Sequence, residues 1–381
     1  MAAKVRPHTN HYSRCHIALI RRYGSYRQFS LQQSNRKKVQ PLSKLHCEKN
    51  QGVTKPCLLI EAPEKGVRVD SHELGCPVPT PKDSLVLSSP LPYVGWGSSE
   101  DVWVKIVSKE HSYKHSKNFL HKHPSIQPRM RSILLDWLIE VSEAYTLHRQ
   151  TFYLAQDYFD RFMLAQSNIE KGMLQLIGIT CLFIASKMEE ACPPKLSQMA
   201  YITAGTYFER EILEMELIIL KVLNWNLCPE TAVSWLKLYF QMASMNPNSD
   251  LLEPQFPQDT FIQMTRLLDL CILNINSLHF QYQVLAASVL CHFLQLETVE
   301  KLSGLSRDVI QPCVTWMAPF VESTSRFGRA TLRDFVRIKK EDRHNIQTHT
   351  DYMAMLEDAA HKEVNSQFPT PPNSTEKTCT H

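Results

Sequence analysis

Met130-Arg-Ser-Ile-Leu-Leu-Asp-Trp-Leu-Ile-Glu-Val141 is the stretch from which the fold can be read. Met130, Ile133, Leu134, Trp137, Leu138 and Val141 recur at intervals of three and four, the spacing that lines one face of an α-helix. Pro128 fits the first helical position, where its fixed φ helps and its missing N–H costs nothing. The spacing predicts a helix over 128–147. Helices are predicted next over 150–164 and 171–189. The second of these is apolar nearly all round and should be the buried, central one. Pro193-Pro194 separates it from a short helix over 196–203. A fifth helix, 209–223, carries Ile212, Glu216, Ile219, Leu220 and Leu223 on one stripe.

After Pro229 the pattern restarts, with helices predicted over 230–243, 258–273, 281–294, 296–302 and 307–321. The third, Tyr282-Gln-Val-Leu-Ala-Ala-Ser-Val-Leu-Cys-His-Phe-Leu294, is again almost wholly apolar. Two groups of five helices, each built around a buried third one, predict an all-α tandem repeat. Strand-type alternation is absent. Towards the N-terminus, Ser99-Glu-Asp-Val-Trp-Val-Lys-Ile-Val107 has a capping residue, acids in its first turn and one apolar face. Residues 1–95 lack sustained periodicity and are expected to be a disordered basic tail. Beyond about Arg326 the chain turns polar, and a flexible tail is expected. The expected plan is therefore 1–95 tail, 96–126 N-terminal helix region, 127–227 first repeat, 228–323 second repeat and 324–381 C-terminal extension.

The bulk properties agree with this plan. The 381 residues are 43% hydrophobic and 21% charged, enough for a sizeable core. The net charge of +4 hides an asymmetry: residues 1–60 hold twelve Lys/Arg and one acid, Glu48, so the remainder is net acidic. Of the 11 glycines six lie before residue 98, which argues against glycine-rich phosphate loops. The 11 cysteines include no C-x-x-C, and Cys181, Cys271 and Cys291 sit inside apolar runs as small core residues do. His121-x-His123 has no third or fourth ligand at a usual spacing, so no metal and no cofactor are expected. The most apolar stretch, 176–185, is short of the roughly 20 residues a bilayer requires. Neither nucleic acid nor membrane is an expected partner. Nucleotide-binding and nucleophile motifs are absent, so no enzyme is expected.

The 130–141 stretch resembles the opening of the cyclin box. Leu174-Gln-Leu-Ile-Gly, Ala185-Ser-Lys-Met-Glu-Glu190 and Arg210-Glu-Ile-Leu-Glu-Met-Glu-Leu-Ile-Ile-Leu-Lys-Val-Leu-Asn-Trp225 match the cyclin family in the same order. The resemblance covers about residues 96–350, and the first 35 residues lie outside it. Two departures are small: Ser132 stands in the family's Met-Arg-Ala-Ile-Leu, and Met188 replaces a larger or aliphatic residue. Thr151-Phe-Tyr-Leu-Ala-Gln-Asp157 and Asp342-Arg-His-Asn-Ile-Gln-Thr-His349 look like the E type. That resemblance implies a non-catalytic subunit that activates a cyclin-dependent kinase, kinase 2 or a close relative, at the G1/S transition. A transcription scaffold on the same fold is the alternative.

From pattern alone, Lys187 and Glu216 are charges in apolar runs that fit an internal salt bridge. The resemblance implies that they also face the kinase, with Ile184, Met188, Glu189, Leu220 and Trp225 around them. It likewise implies that Met130, Ile133, Leu134, Trp137, Leu174 and Gln175 form a groove for the Arg-x-Leu motifs of substrates and Cip/Kip inhibitors, with Glu140 meeting the Arg. Thr80, Ser89 and Thr370 each precede proline. Phe368-Pro-Thr-Pro-Pro-Asn-Ser374 resembles a phosphodegron centred on Thr370 with Ser374 four residues on, and Val78-Pro-Thr-Pro-Lys82 a weaker one on Thr80. An F-box ubiquitin ligase would read them once phosphorylated. Phe368-Pro369 stands where the family usually has Leu. Arg36-Lys37-Lys38 fits nuclear import, so a nuclear protein, with room for a cytoplasmic pool, is the expectation.

Overall fold

The computed structural model describes residues 89–92, 97–113, 116–245 and 256–367. Among them are twelve α-helices longer than a single turn. They are α1 (Ser99–Ser112), α2 (Pro128–Ala144), α3 (Arg149–Ala165), α4 (Leu174–Glu189), α5 (Leu196–Ile202), α6 (Glu209–Val222), α7 (Ala232–Ser244), α8 (Gln258–Leu273), α9 (Tyr282–Cys291), α10 (Leu296–Ser303), α11 (Arg307–Arg326) and α12 (Tyr352–Gln367). No β-strand occurs among the described residues; His148 and Ile346 form one isolated bridge. Helices α2–α6 and α7–α11 are the two expected groups of five.

Each group closes around its third helix because that helix has no polar face to leave in water. In α4 every residue from Leu176 to Ser186 is buried. In α9 the same holds from Tyr282 to Leu290. The segment Lys171–Glu189 has the length and composition to cross a bilayer, but it is the core helix of the first group. Helix α11 continues to Arg326 through Pro312 and Pro319, each of which forfeits a backbone hydrogen bond. Burial of Ile310, Cys313, Met317 and Phe320 along one face offsets that loss.

Three features go beyond the sequence reading. Residues 89–92 were expected in the tail, yet they pack on α1. Leu91 is buried, Ser89 Oγ donates to Ser99 O at 3.0 Å, and Ser99 Oγ donates to Pro92 O at 2.7 Å. Helix α1 is capped by Ser98 and docks on the second group, although it precedes the first in sequence: Trp103 meets Trp235 edge-on with ring centroids 5.7 Å apart, and Lys109 pairs with Glu230 at 2.8 Å. The polar region after Arg326, expected to end in a flexible tail, is folded up to Gln367. It forms a strap, 328–351, and then α12, whose Tyr352, Met355 and Ala359 are buried.

The strap lies across both groups. Arg149 of α3 donates to His344 O at 3.0 Å and to Thr348 Oγ1 at 3.1 Å, and it lies 3.3 Å from Asp269 Oδ2 of α8. Asp269 also accepts from Tyr153 at 2.7 Å, Gln347 at 2.9 Å and Tyr352 at 2.9 Å. Burial raises the Asp269 carboxyl, and this ring of donors opposes the rise. One buried carboxylate thereby joins the first group, the second group, the strap and α12.

Candidate functional site

Lys187 in the last turn of α4 and Glu216 in α6 form an ion pair across the first group. The Lys187 side chain is 39% exposed and that of Glu216 11%, so the pair is internal on one side and open on the other. Lys187 Nζ also stands 4.2 Å above the Phe183 ring centroid. An ammonium has three donors and a carboxylate about four acceptor positions, so both groups keep bonding capacity towards solvent.

The apolar surface beside the pair differs from the expected one. Met188 (46% exposed) and Trp225 (65%) are on it, and Glu189 is exposed nearby. Ile184 and Leu220 are not, because both are buried in the core on the inner faces of α4 and α6. Leu213 (44%) and Leu217 (55%), one turn apart on α6 and flanking Glu216 along it, are exposed instead. A signal for them existed, since both fall off the 212/216/219/220/223 stripe and so are leucines that the helix does not bury. Trp225 and the preceding Asn224 have φ of 58° and 51°. Consecutive left-handed residues without glycine are strained, by about 1–3 kcal/mol each. Here that backbone carries a large indole outward at the end of α6.

At the C-terminal end of α4, His148 Nδ1 lies 2.7 Å from Glu190 Oε2, and Thr151 donates to Glu190 Oε1 at 2.5 Å. The bond to Glu190 raises the imidazole above its usual value despite burial. Burial alone would raise the Glu190 carboxyl; the hydrogen bonds from His148 and Thr151 outweigh it and hold the group low.

The second face is on α2. Met130, Ile133 and Glu140 are half-buried, and so is Gln175 at the start of α4. Trp137 shows only 8% of its surface. Leu134 and Leu174, expected in the groove, are instead beneath it at 1% and 3%. Leu134 is drawn down because Gly178 of α4 lets the two helices close: a Cβ at 178 would come within 2.8 Å of Leu134 Cδ1. Tyr207 in the α5–α6 loop donates to Gly172 O just before α4 and fixes that loop to the α4 end of the face. A hollow of about 340 Å³ lined by Tyr145, Ser197, Gln198 and Tyr201 lies beyond the last turn of α2.

Sequence reading passed over Arg131, which lies between these residues and is 1% exposed. Its guanidinium grips Asp160 of α3 with two bonds of 2.7 Å and donates to Ile272 O at 2.9 Å, at the end of α8. Ser132 Oγ donates to Leu273 O at 2.8 Å. The helix that presents the second face is thus bolted to both groups.

His123 uses both ring nitrogens structurally, on Met163 O at 2.8 Å and on Ile169 N–H at 3.0 Å, so it is not placed to bind metal with His121. No cluster of three or more metal-ligating side chains exists among the described residues. Thr80, Thr370, Ser374 and the Arg36-Lys37-Lys38 run lie outside the described residues.

Comparison with known proteins adds the following. Residues 101–228 match the family model "Cyclin, N-terminal domain", and residues 231–354 match "Cyclin, C-terminal domain". The chain is 48% identical to the G1/S-specific cyclin-E1 of Gallus gallus over 337 residues, 84% of this chain and 82% of that one. It is 49% identical to the protein of the same name from Danio rerio over 301 residues, 76% and 73% of the two chains. The X-ray structure of a viral cyclin from herpesvirus saimiri aligns at a TM-score of 0.46 and 19% identity, over 56% of this chain and 94% of that one.

Proposed function

Because this chain belongs to the cyclin family and is similar along most of its length to cyclin-E proteins, we propose that it binds and activates a cyclin-dependent kinase, kinase 2 or a close relative, at the G1/S transition. Its role is that of a cell-cycle regulatory subunit, and the transferred phosphate is handled by the kinase. The observation that carries the proposal is the half-exposed Lys187–Glu216 pair set among exposed Met188, Leu213, Leu217 and Trp225. Charged groups that remain able to bond backbone, ringed by apolar surface, suit the capture of a partner helix.

An active kinase requires its αC helix turned in, so that a glutamate on it pairs with the β3 lysine, and its activation loop ordered. A surface that fits only the αC-in state shifts the population towards it. Lys187 and Glu216 are already held by each other, so little side-chain freedom is lost on docking.

The α2 face serves as the docking groove for Arg-x-Leu segments of substrates and Cip/Kip inhibitors. Met130, Ile133 and the exposed edge of Trp137 receive the Leu, and Glu140 meets the Arg. Leu134 and Leu174 support the groove from below. Phosphorylated Thr370 with Ser374, and Thr80, are read by an F-box ubiquitin ligase. Arg36-Lys37-Lys38 supports nuclear import.

The test is reconstitution of the full chain with a monomeric G1/S kinase, scored by histone phosphorylation. Wild type should activate strongly. The Lys187→Ala, Glu216→Ala double variant should lose at least about tenfold of that activation, a loss of 1.4 kcal/mol. Removing both charges strands neither, so the fold survives. Well-folded wild type that neither binds nor activates the kinase would replace this reading with the transcription scaffold.

A further inference from the structure

The C-terminal extension lines one flank of α2, running antiparallel to it. Arg333 pairs with Glu143 in the last turn of α2, His349 Nε2 lies 2.8 Å from Asp136 Oδ1 at its middle, and Glu357 Oε1 lies 2.6 Å from Arg129 Nη2 at its start. It therefore forms the wall of the groove opposite the α4 side.

At the Glu143 end this wall is strongly basic. Residues 326–343 hold seven Arg/Lys against three acids, in a chain whose positive charge otherwise gathers before residue 60. Arg326 pairs with Asp358, Arg333 with Glu143 and Arg343 with Asp334. Arg329, Arg337, Lys339 and Lys340 are exposed, and none of them makes an ion pair among the described residues. Val336 is fully exposed at the tip of the loop.

We propose that this basic loop is a subsite for anionic side chains that precede the Arg of an Arg-x-Leu segment docked on α2. The inference rests on the docking reading above and adds a charge preference to it. The direction of the peptide follows from the groove. Leu seated on Met130, Ile133 and Trp137, with the preceding Arg at Glu140, makes the peptide run antiparallel to α2. Residues before the Arg then pass Glu143 towards the loop. Glu143 is neutralised by Arg333 and Asp334 by Arg343, so on that flank the four cations stand against two exposed acids, Glu341 and Asp342, and the field stays net positive. An extended peptide advances about 3.3 Å per residue, so anionic residues some three to six positions before the Arg come within reach. Carboxylates and phosphoserines both suit lysine and arginine partners at an exposed, solvated site.

Fluorescence anisotropy on the full chain tests this with five labelled peptides. One is an Arg-x-Leu peptide with neutral flanks. Three more carry three Glu before the Arg, three phosphoserines before the Arg, or three Glu after the Leu. The last has the Glu-rich flank but lacks Arg-x-Leu. An anionic N-terminal flank should tighten binding about fivefold over the neutral peptide at low salt, and an anionic C-terminal flank should not. The gain should vanish in the Arg337→Glu, Lys339→Glu, Lys340→Glu variant and at about 0.5 M salt, while the neutral peptide binds both proteins alike.

A neutral peptide that binds with no flank effect, or a flank effect that survives charge reversal, overturns the subsite and leaves the docking groove standing. Equal binding by the Glu-rich peptide without Arg-x-Leu, or by an oligonucleotide, makes the loop a general polyanion surface and also overturns the proposal. Absence of binding by every Arg-x-Leu peptide removes the groove itself, and the subsite with it.

Discussion

Arg131 is held in the first turn of α2 by four hydrogen bonds, two to Asp160 and one each to Ile272 O and Leu273 O, and Gln156 supports the pair by donating to Asp160 Oδ2 at 2.6 Å. Its neighbours on the helix are the residues of the proposed docking groove, and it fixes where they stand. Substituting Arg131 by Ala leaves Asp160 charged and buried, and it should cost about 3–5 kcal/mol, read as a lower urea midpoint. Replacing both partners, Arg131→Met with Asp160→Leu, should recover most of that loss. Lys187 and Glu216 were legible from sequence because a charge in an apolar run demands an explanation. The role of Arg131 is not legible from sequence, since nothing local shows that its partner lies 29 residues on, in another helix.

At the scale of elements, periodicity placed all ten helices of the two repeats, because each has a face or a whole surface that water excludes. It also singled out α4 and α9 as central. What it could not give is how closely two helices approach. Gly178 supplies that for α2 and α4, and the distance decides which groove residues are exposed. Gly178→Val should push Leu134 upward and lower stability by about 2–3 kcal/mol, seen as a reduced melting temperature. On the docking reading proposed above, Arg-x-Leu peptide affinity should fall with it. Helix α12 was missed although Tyr352, Met355, Leu356 and Ala359 carry the helical spacing. The stripe is short, and the polar residues around it read as tail. Its burial comes from the α11 side, where Ser323 Oγ donates to Met355 O at 2.9 Å.

At the scale of the whole molecule, the strap makes two repeats into one body. His344 is the titratable point within it. Buried edge-on against Phe256 and Phe261, with ring centroids 5.2 and 5.5 Å away, its imidazole is pushed down to about 4 by burial first and by the charge of Lys237 second. A base lowered in the folded state is neutral there while the unfolded chain takes up a proton. The stability it contributes is complete above pH 6.5 and drains away as pH falls from 6.5 to about 4. The loss should reach about 2–3 kcal/mol. His344→Phe should remove that dependence, so the stability of the variant should fall less than that of wild type between those pH values when followed by chemical denaturation.

The sequence by itself determined the helix content, the repeated group of five and the family. These depend on which residues avoid water at a fixed period, and that is a local property. It also pointed to the segment Asp342-Arg-His-Asn-Ile-Gln-Thr-His349, though only as a mark of subtype. Tertiary structure decided the rest. It sent Ile184, Leu220, Leu134 and Leu174 inward and brought Leu213 and Leu217 to the surface. It joined Asp136 to His349 across 213 residues and laid a basic loop beside the groove. The period of a helix tells which of its faces is apolar, but exposure at the rim and contact at long range are set by the neighbour that packs there.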